Sequence, residues 1–365
     1  MTLLFELIND NPSVVLQKIG LITYENRPVP IINNPNDVKI AITNTGLCGS
    51  DVHYYEHGSC GSFKVEKPMV LGHESSGIIV EIGSKVKTLK VGDRVACEPG
   101  VPSRLSYEYK SGNYNLCPHM AFAATPPYDG TLCRYYILPE DFCVKLPDHV
   151  SLEEGSLVEP LSVGVHANRL IDVKFGDSMI IFGAGPIGLL CAGVSKAFGC
   201  DKILIVDLVD EKLNFALDQN LVTNIFNSKG KTFDDLYKYI KTIWTGDDLP
   251  TCGIDATGNK FCTNMCIRSL AKKGRFVQVG MGGDNLDMFP MSAVQEKEIT
   301  VKGSFRYSVD DYKYAVKLLD GKKINVKPLI THKFTFEQAV EAYEFSKKGK
   351  SIKIMIEGPK MGKNI

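Results

Sequence analysis

Several things are scarce in this sequence, and each absence excludes a class. Neither sign of charge is in excess: 42 Lys+Arg stand against 42 Asp+Glu. Nothing therefore draws the chain as a whole to nucleic acid or anionic lipid. No apolar run spans a bilayer, since the longest, Met179 to Val194, is broken by four Gly and one Pro. The opening residues, Met1-Thr2-Leu3-Leu4-Phe5-Glu6, have no basic region, and Gly362-Lys363-Asn364-Ile365 matches no retention or prenylation signal. Internal repeats and low-complexity linkers are also missing, which argues against a solenoid or tethered modules. The expectation is a cytoplasmic protein with no nucleic-acid partner and no membrane partner.

What is present is ordinary for a globular protein: 365 residues, 44% hydrophobic and 23% charged. A chain of this length buries roughly 75% of its unfolded surface, so no disulfide or metal is needed for size reasons. The eleven Cys, an odd number scattered from Cys48 to Cys266, read as reduced thiols, most of them small packing groups.

The pattern changes along the chain. Up to about residue 160 the segments are short and extended, as in Asp37–Ile42, with Val38, Ile40 and Ile42 on one face, and Gly77–Gly83. This part reads as a β-barrel or sandwich with long loops. Ser151-Leu152-Glu153-Glu154 opens a helix with a capping box. Beyond residue 165, strands alternate with helices: Met179–Phe182, Ile203–Val206, Gly253–Ala256, Phe276–Val279 and Ile299–Lys302. That is the pattern of an α/β, doubly wound parallel sheet. The tail changes again, to amphipathic helices at Asp310–Leu319 and Phe336–Ser346 around an extended Pro328–His332.

Gly183-Ala184-Gly185-Pro186-Ile187-Gly188 lies between an apolar strand and the helix-like run Leu189–Phe198. Gly183 permits a tight turn, Gly185 lets backbone approach a pyrophosphate, and Gly188 lets helix and strand pack closely. The next strand ends at Asp207, where a carboxylate accepts hydrogen bonds from ribose hydroxyls and repels a 2′-phosphate. NAD is therefore expected rather than NADP. Ile187 in the turn, Lys212 on the following helix and Val279 at a strand end complete the expected coenzyme set.

Cys48, His73 and Glu74 sit in glycine-bounded turns, and Glu159 follows in Val158-Glu159-Pro160. A thiolate, an imidazole and one or two carboxylates suit catalytic Zn²⁺ with an open position. Adjacent residues point to opposite sides of a regular strand, so His73 and Glu74 reach one metal only from an irregular segment, which Gly72 permits. On chemistry alone, a core role for Cys48 is an equal alternative. Ser50 and His53 form a hydroxyl–imidazole pair suited to a proton relay, against the alternative of a loop histidine.

Gly72-His73-Glu74-x2-Gly77-x5-Gly83-x2-Val86 resembles the signature of zinc-containing medium-chain dehydrogenases. Cys48-Gly-Ser-Asp-Val-His53-Tyr-Tyr55, Glu159-Pro-Leu-Ser-Val-Gly164, Tyr114–Pro118 and Gly303–Tyr307 are similar to the polyol branch of that family. The resemblance runs over nearly the whole chain. It implies a GroES-like β-barrel catalytic domain (1–163), a Rossmann coenzyme domain (164–304) and a return segment completing the barrel (305–365). It implies Cys48, His73 and Glu74 on zinc, with Glu159 as a ligand or reaching the metal through water. It implies Tyr55, Phe122, Thr125, Arg306 and Tyr307 around a polyol, and a homo-oligomer, a tetramer. The implied reaction is oxidation of a polyol's secondary hydroxyl to the ketose, with xylitol or sorbitol as substrate. The rivals are a zinc-dependent dehydrogenase of another alcohol or of threonine and, in a different class, a non-catalytic dinucleotide sensor. Many family members hold a second, structural zinc on four Cys. The corresponding positions here are Ser103, Ser106, Tyr109 and Cys117, and hydroxyls do not replace thiolates in a closed site. That second zinc is expected to be absent.

Overall fold

The change of pattern in the sequence corresponds to a division of the chain. A computed structural model describes residues 8–246, 248–283 and 287–360. One unit comprises Met1–Glu159, Leu319–Gly321 and Asn325–Ile365; the other comprises Pro160–Leu318 and Lys322–Ile324.

In the first unit, the alternating segment around Val38, Ile40 and Ile42 becomes the strand Asp37–Gly46 of a seven-stranded sheet. Its apolar face joins Val95, Leu138 and Ile79 in one cluster. One edge pairs antiparallel with Glu74–Ile82, placing Gly46 opposite Glu74. The other edge is shared by Tyr135–Pro139 and by the late strand Lys353–Glu357, where Met355 lies opposite Gly46. A segment about 300 residues downstream thus closes the sheet beside residues 46 and 47, and the Leu47 N–H donates to the Ile354 carbonyl at 2.9 Å.

The second unit is a six-stranded parallel sheet. Its spatial order is Asn224–Asn227, Lys202–Asp207, Ser178–Phe182, Cys252–Asp255, Arg275–Gln278, Thr300–Gly303. This is the 3-2-1-4-5-6 order of a dinucleotide-binding doubly wound fold. All five strands read from the sequence are present, their ends shifted by at most one residue. Asn224–Asn227 is additional; its two central apolar residues were too few to mark it.

Two sequence expectations change. Residues 49–57 form a helix, Gly49–His57, where turns were expected; it ends at Gly58 in the left-handed conformation. Residues 305–318 lie with the second unit rather than with the return segment. The cause is Asp311, which is fully buried and anchors the helix Asp311–Asp320. It accepts a hydrogen bond from Arg169 and lies 2.7 Å from His166 Nδ1. The capping boxes at Ser151/Glu154 and Thr335/Gln338 both form.

Candidate active site

Cys48 immediately precedes the Gly49–His57 helix, with extended backbone angles. His73 and Glu74 follow Gly72, whose φ of +89° is open to glycine and strained for other residues. A side chain at Gly72 would also sit 2.8 Å from Leu132 Cγ. The irregular step turns His73 toward Cys48 just before Glu74 enters its strand. Among the described residues, Cys48, His73 and Glu74 form a metal-competent group, their donor atoms all within 4.8 Å of one another. This brings together three of the four expected ligands. Glu159 is buried at the start of the helix Val158–Leu170, outside that group.

Two neighbours that the sequence did not reveal govern these donors. Asp51, fully buried, places Oδ1 3.4 Å from His73 Nδ1. That orientation leaves Nε2 for a metal. Burial opposes protonation of His73, but Asp51 and Cys48 outweigh it and hold its pKa well above the usual value. Lys353, also buried, donates to both Glu74 oxygens at 2.7 Å and to the Leu47 carbonyl at 3.2 Å. Burial alone would lower the Lys353 pKa; Glu74 and Cys48 raise it above the ordinary value. Gly46 makes room for this arrangement, since a Cβ there would collide with Glu74 Oε2. A signal for Lys353 was available: it is the only charge in the apolar stretch Ile352–Ile356. Asp51 lay in plain view within the Cys48 motif.

The expected polyol contacts divide. Phe122 packs its ring 5.7 Å from that of His73. Thr125 shares a hydrogen bond with Tyr54, whose hydroxyl is pushed up to about 12, chiefly by burial. Tyr55, the residue named from the sequence, turns elsewhere: its hydroxyl donates to Glu344 and its ring meets Tyr343 edge-on at 5.8 Å. The helix explains the exchange, since neighbouring positions on a helix point about 100° apart. Ser50 is half-buried in the first turn. His53 is exposed one turn on, its ring 5.8 Å from His57. Arg306 and Tyr307 belong to the second unit. Arg306 has a left-handed φ of 57° and lies over the Phe305 ring, while Tyr307 is buried against Tyr312.

The glycine-rich turn takes the expected form. Gly183 has φ +99°, Gly185 caps the helix Pro186–Ala197, and Pro186 occupies its first turn. A Cβ on Gly188 would run into the Gly183 carbonyl. Asp207 accepts from Leu208 N at 2.7 Å, Val209 N at 3.0 Å and, across the turn, Ala184 N at 2.6 Å. Its carboxylate is thus fixed at the turn's mouth. Ile187, Lys212 and Val279 are half-buried in this unit.

In the lobe around residues 103–117, Ser106 caps the short helix Tyr107–Lys110 by accepting from Tyr109 N at 3.1 Å. Arg104 holds Asp141 at 2.6 and 2.7 Å and donates to the Tyr109 hydroxyl at 3.4 Å. Cys117 is buried. Among the described residues, no helix is long and apolar enough to cross a membrane.

A dinucleotide-type sheet and a thiol–imidazole–carboxylate group in one chain define a metal- and nicotinamide-dependent oxidoreductase. The comparisons specify the family. Residues 34–148 match the alcohol dehydrogenase GroES-like domain and residues 186–321 the zinc-binding dehydrogenase domain. The chain belongs to the zinc-dependent medium-chain dehydrogenase family. It is 51% identical to sorbitol dehydrogenase 2 of Saccharomyces cerevisiae, covering 96% of this chain and 99% of that protein. It is 49% identical to the D-xylulose reductase of Scheffersomyces stipitis, with the same coverage. Among solved structures, 2R,3R-butanediol dehydrogenase from Bacillus subtilis superposes with a TM-score of 0.86 at 30% identity, covering 96% of this chain and 100% of that one.

Proposed function

We propose that this protein oxidises a secondary hydroxyl of a polyol to the ketose, using one zinc per subunit and NAD, with xylitol and sorbitol as the candidate substrates. The convergence of Cys48, His73 and Glu74 carries this reading. Identity of about half with proteins named sorbitol dehydrogenase and D-xylulose reductase supports the substrate class.

The donor set suits zinc: a soft thiol, an imidazole backed by a buried carboxylate, and a carboxylate within one small sphere. Cys48, His73 and Glu74 would hold the metal, which lowers the pKa of a substrate hydroxyl as a Lewis acid. Lys353 divides the charge of Glu74 with that site, weakening Glu74 as a ligand and leaving room for Glu159 to take part through water. Phe122 walls the His73 side, and Thr125 with Tyr54, rather than Tyr55, offers hydroxyls to the polyol chain. Arg306 and Tyr307 keep the polyol-contact role that the family resemblance implies. Ser50 and His53 pass the hydroxyl proton outward, His53 being exposed. On the coenzyme side, Gly183, Gly185, Ile187 and Gly188 seat the pyrophosphate, Val279 and Lys212 flank the nucleotide, and Asp207 selects NAD. Bound there, NAD would supply the hydride acceptor, and these residues would position it.

The lobe at Ser103, Ser106, Tyr109 and Cys117 holds no second zinc in this reading; a cap and the Arg104–Asp141 pair supply its local order. The functional form is a cytoplasmic homo-tetramer. The test is a panel of xylitol, sorbitol, ethanol and threonine with NAD and NADP, run beside a zinc measurement. Turnover of polyols with NAD and about one zinc per subunit is expected. Preference for ethanol or threonine overturns the substrate class, and absence of both zinc and turnover overturns the enzyme.

A further inference from the structure

Behind the metal group lies a set of polar atoms that the catalytic reading leaves unexplained. Asp51 Oδ2 and the Tyr343 hydroxyl are buried without a hydrogen-bond partner, whereas Asp51 Oδ1 faces His73 Nδ1 at 3.4 Å. Tyr343 and Asp51 are each 0% exposed. Leaving such groups unsatisfied costs about 1–3 kcal/mol apiece, so their coincidence in one place needs a reason. The two side chains come from helices that pack together. Gly49–His57 buries Asp51, Tyr54 and Tyr55, while Ala339–Ser346 buries Ala339, Ala342 and Tyr343. The Tyr343 ring is fixed edge-on against Tyr55 and lies in the same apolar cluster as Leu47 and Tyr54.

We infer that Tyr343 is a positioning residue for the metal site: its hydroxyl donates through a bridging water to the Asp51 oxygen turned away from His73. The path Tyr343–water–Asp51–His73 then holds the imidazole with Nδ1 toward Asp51 and Nε2 toward the metal. A phenol can supply the donor that Asp51 lacks, and a carboxylate is the acceptor that the phenol lacks. The site is polar enough to keep a buried water, which needs two to four such partners. The surrounding charges agree. Burial raises the Tyr343 pKa well above its ordinary value, and Asp51, Cys48 and Glu74, in that order, raise it further. The phenol therefore stays protonated and serves as a donor. The other charged group packed here, Lys353, is taken up by Glu74 and the Leu47 carbonyl.

The inference rests on the zinc reading above, and the test separates the two. Zinc release from the full-length holoenzyme is followed with a chromogenic chelator for wild type, Tyr343→Phe, Asp51→Asn and the double variant. Tyr343→Phe keeps the ring against Tyr55 and should release zinc about tenfold faster, the lower end of the range for outer-shell partners of metal ligands. In the Asp51→Asn background the same substitution should have a smaller effect, because the charge through which the phenol acts on His73 is gone. The polyol KM should stay unchanged, as Tyr343 is not placed on the substrate. An unaltered zinc release in Tyr343→Phe overturns the inference alone, provided Asp51→Asn releases faster. An equal effect in both backgrounds overturns it too, showing that the phenol supports packing and not Asp51. If Asp51→Asn also releases zinc like wild type, Asp51 does not hold His73 and the inference falls, while absence of zinc from the wild-type protein is what overturns the zinc reading.

Discussion

The coenzyme turn and the metal group are built from the chain in opposite ways. Gly183 to Gly188 is one contiguous turn, and the carboxylate that braces it, Asp207, is the end of the next strand. The metal group joins residues 48 and 73–74, and its supports come from residue 51 and from Lys353, some 300 positions later. The first is specified by backbone: positive φ, close approach and a helix N-terminus. The second is specified by side chains whose charges are buried and must be balanced. A local site of the first kind tolerates changes elsewhere in the fold. A long-range site of the second kind makes folding and chemistry depend on the same few groups.

The largest break in this comparison is at Cys48. Cys48→Ser should lose zinc and lower kcat by on the order of a thousandfold, the scale of losing Lewis-acid stabilisation. NAD affinity, measured by fluorescence quenching, should be unaltered. Full activity in a zinc-free variant would show that the group is not the catalytic centre.

Next in size is Lys353→Met. It removes one half of a buried ion pair and leaves Glu74 uncompensated, which costs about 3–5 kcal/mol. Urea unfolding of the metal-free protein should show that loss, and added zinc should recover part of it by drawing on the Glu74 charge. Stability unchanged without metal would mean that Glu74 finds another partner and that the long-range site is less interdependent than the geometry indicates.

Gly188→Ala probes the other side. The new Cβ meets the Gly183 carbonyl, a backbone atom that cannot rotate away, so overpacking of about 1–3 kcal/mol is expected. It should appear as weaker NAD binding with zinc content intact. Loss of zinc as well would show that the two sites are not independent.

The same contrast decides what could be read from the sequence. The parallel sheet was legible because each strand is an apolar run bounded by turn residues. The glycine turn was legible because its spacing is its mechanism. The candidate ligands Cys48, His73 and Glu74 were legible as residue types, and the structure brings their donor atoms together. The helix Gly49–His57 was not: a glycine start and two adjacent Tyr give it no clear apolar stripe. The helix also turns Tyr55, which the resemblance set near the polyol, toward Glu344 and Tyr343, and turns Tyr54 toward Thr125. The Asp311 anchor, which keeps residues 305–318 with the second unit, depends on contacts to His166 and Arg169 that no local pattern encodes. Lys353 and Tyr343 reach the site only through the closing strand and its preceding helix, so tertiary pairing had to be known first.

The smallest expected effect is at Asp207, and it tests how local the coenzyme site is. The carboxylate accepts three backbone N–H groups, one of them from Ala184 within the glycine turn. The role proposed for it is therefore double: it would recognise the ribose, and it pins the turn. Asp207→Ala removes charged-acceptor hydrogen bonds worth about 1.5–3 kcal/mol each in stability terms. The Leu208 and Val209 amides are exposed enough to turn to water, so the net loss for NAD should be about tenfold. Because the repelling charge is gone, NADP should lose less, and the NAD/NADP ratio of kcat/KM should fall. Asp207→Asn separates the two roles, since it keeps an acceptor oxygen for Ala184 and removes the charge. If the ratio falls equally in both variants, charge alone sets the preference. If only the Ala variant weakens NAD, the pinned turn matters more. Unchanged kinetics with both coenzymes in both variants would remove Asp207 from the site.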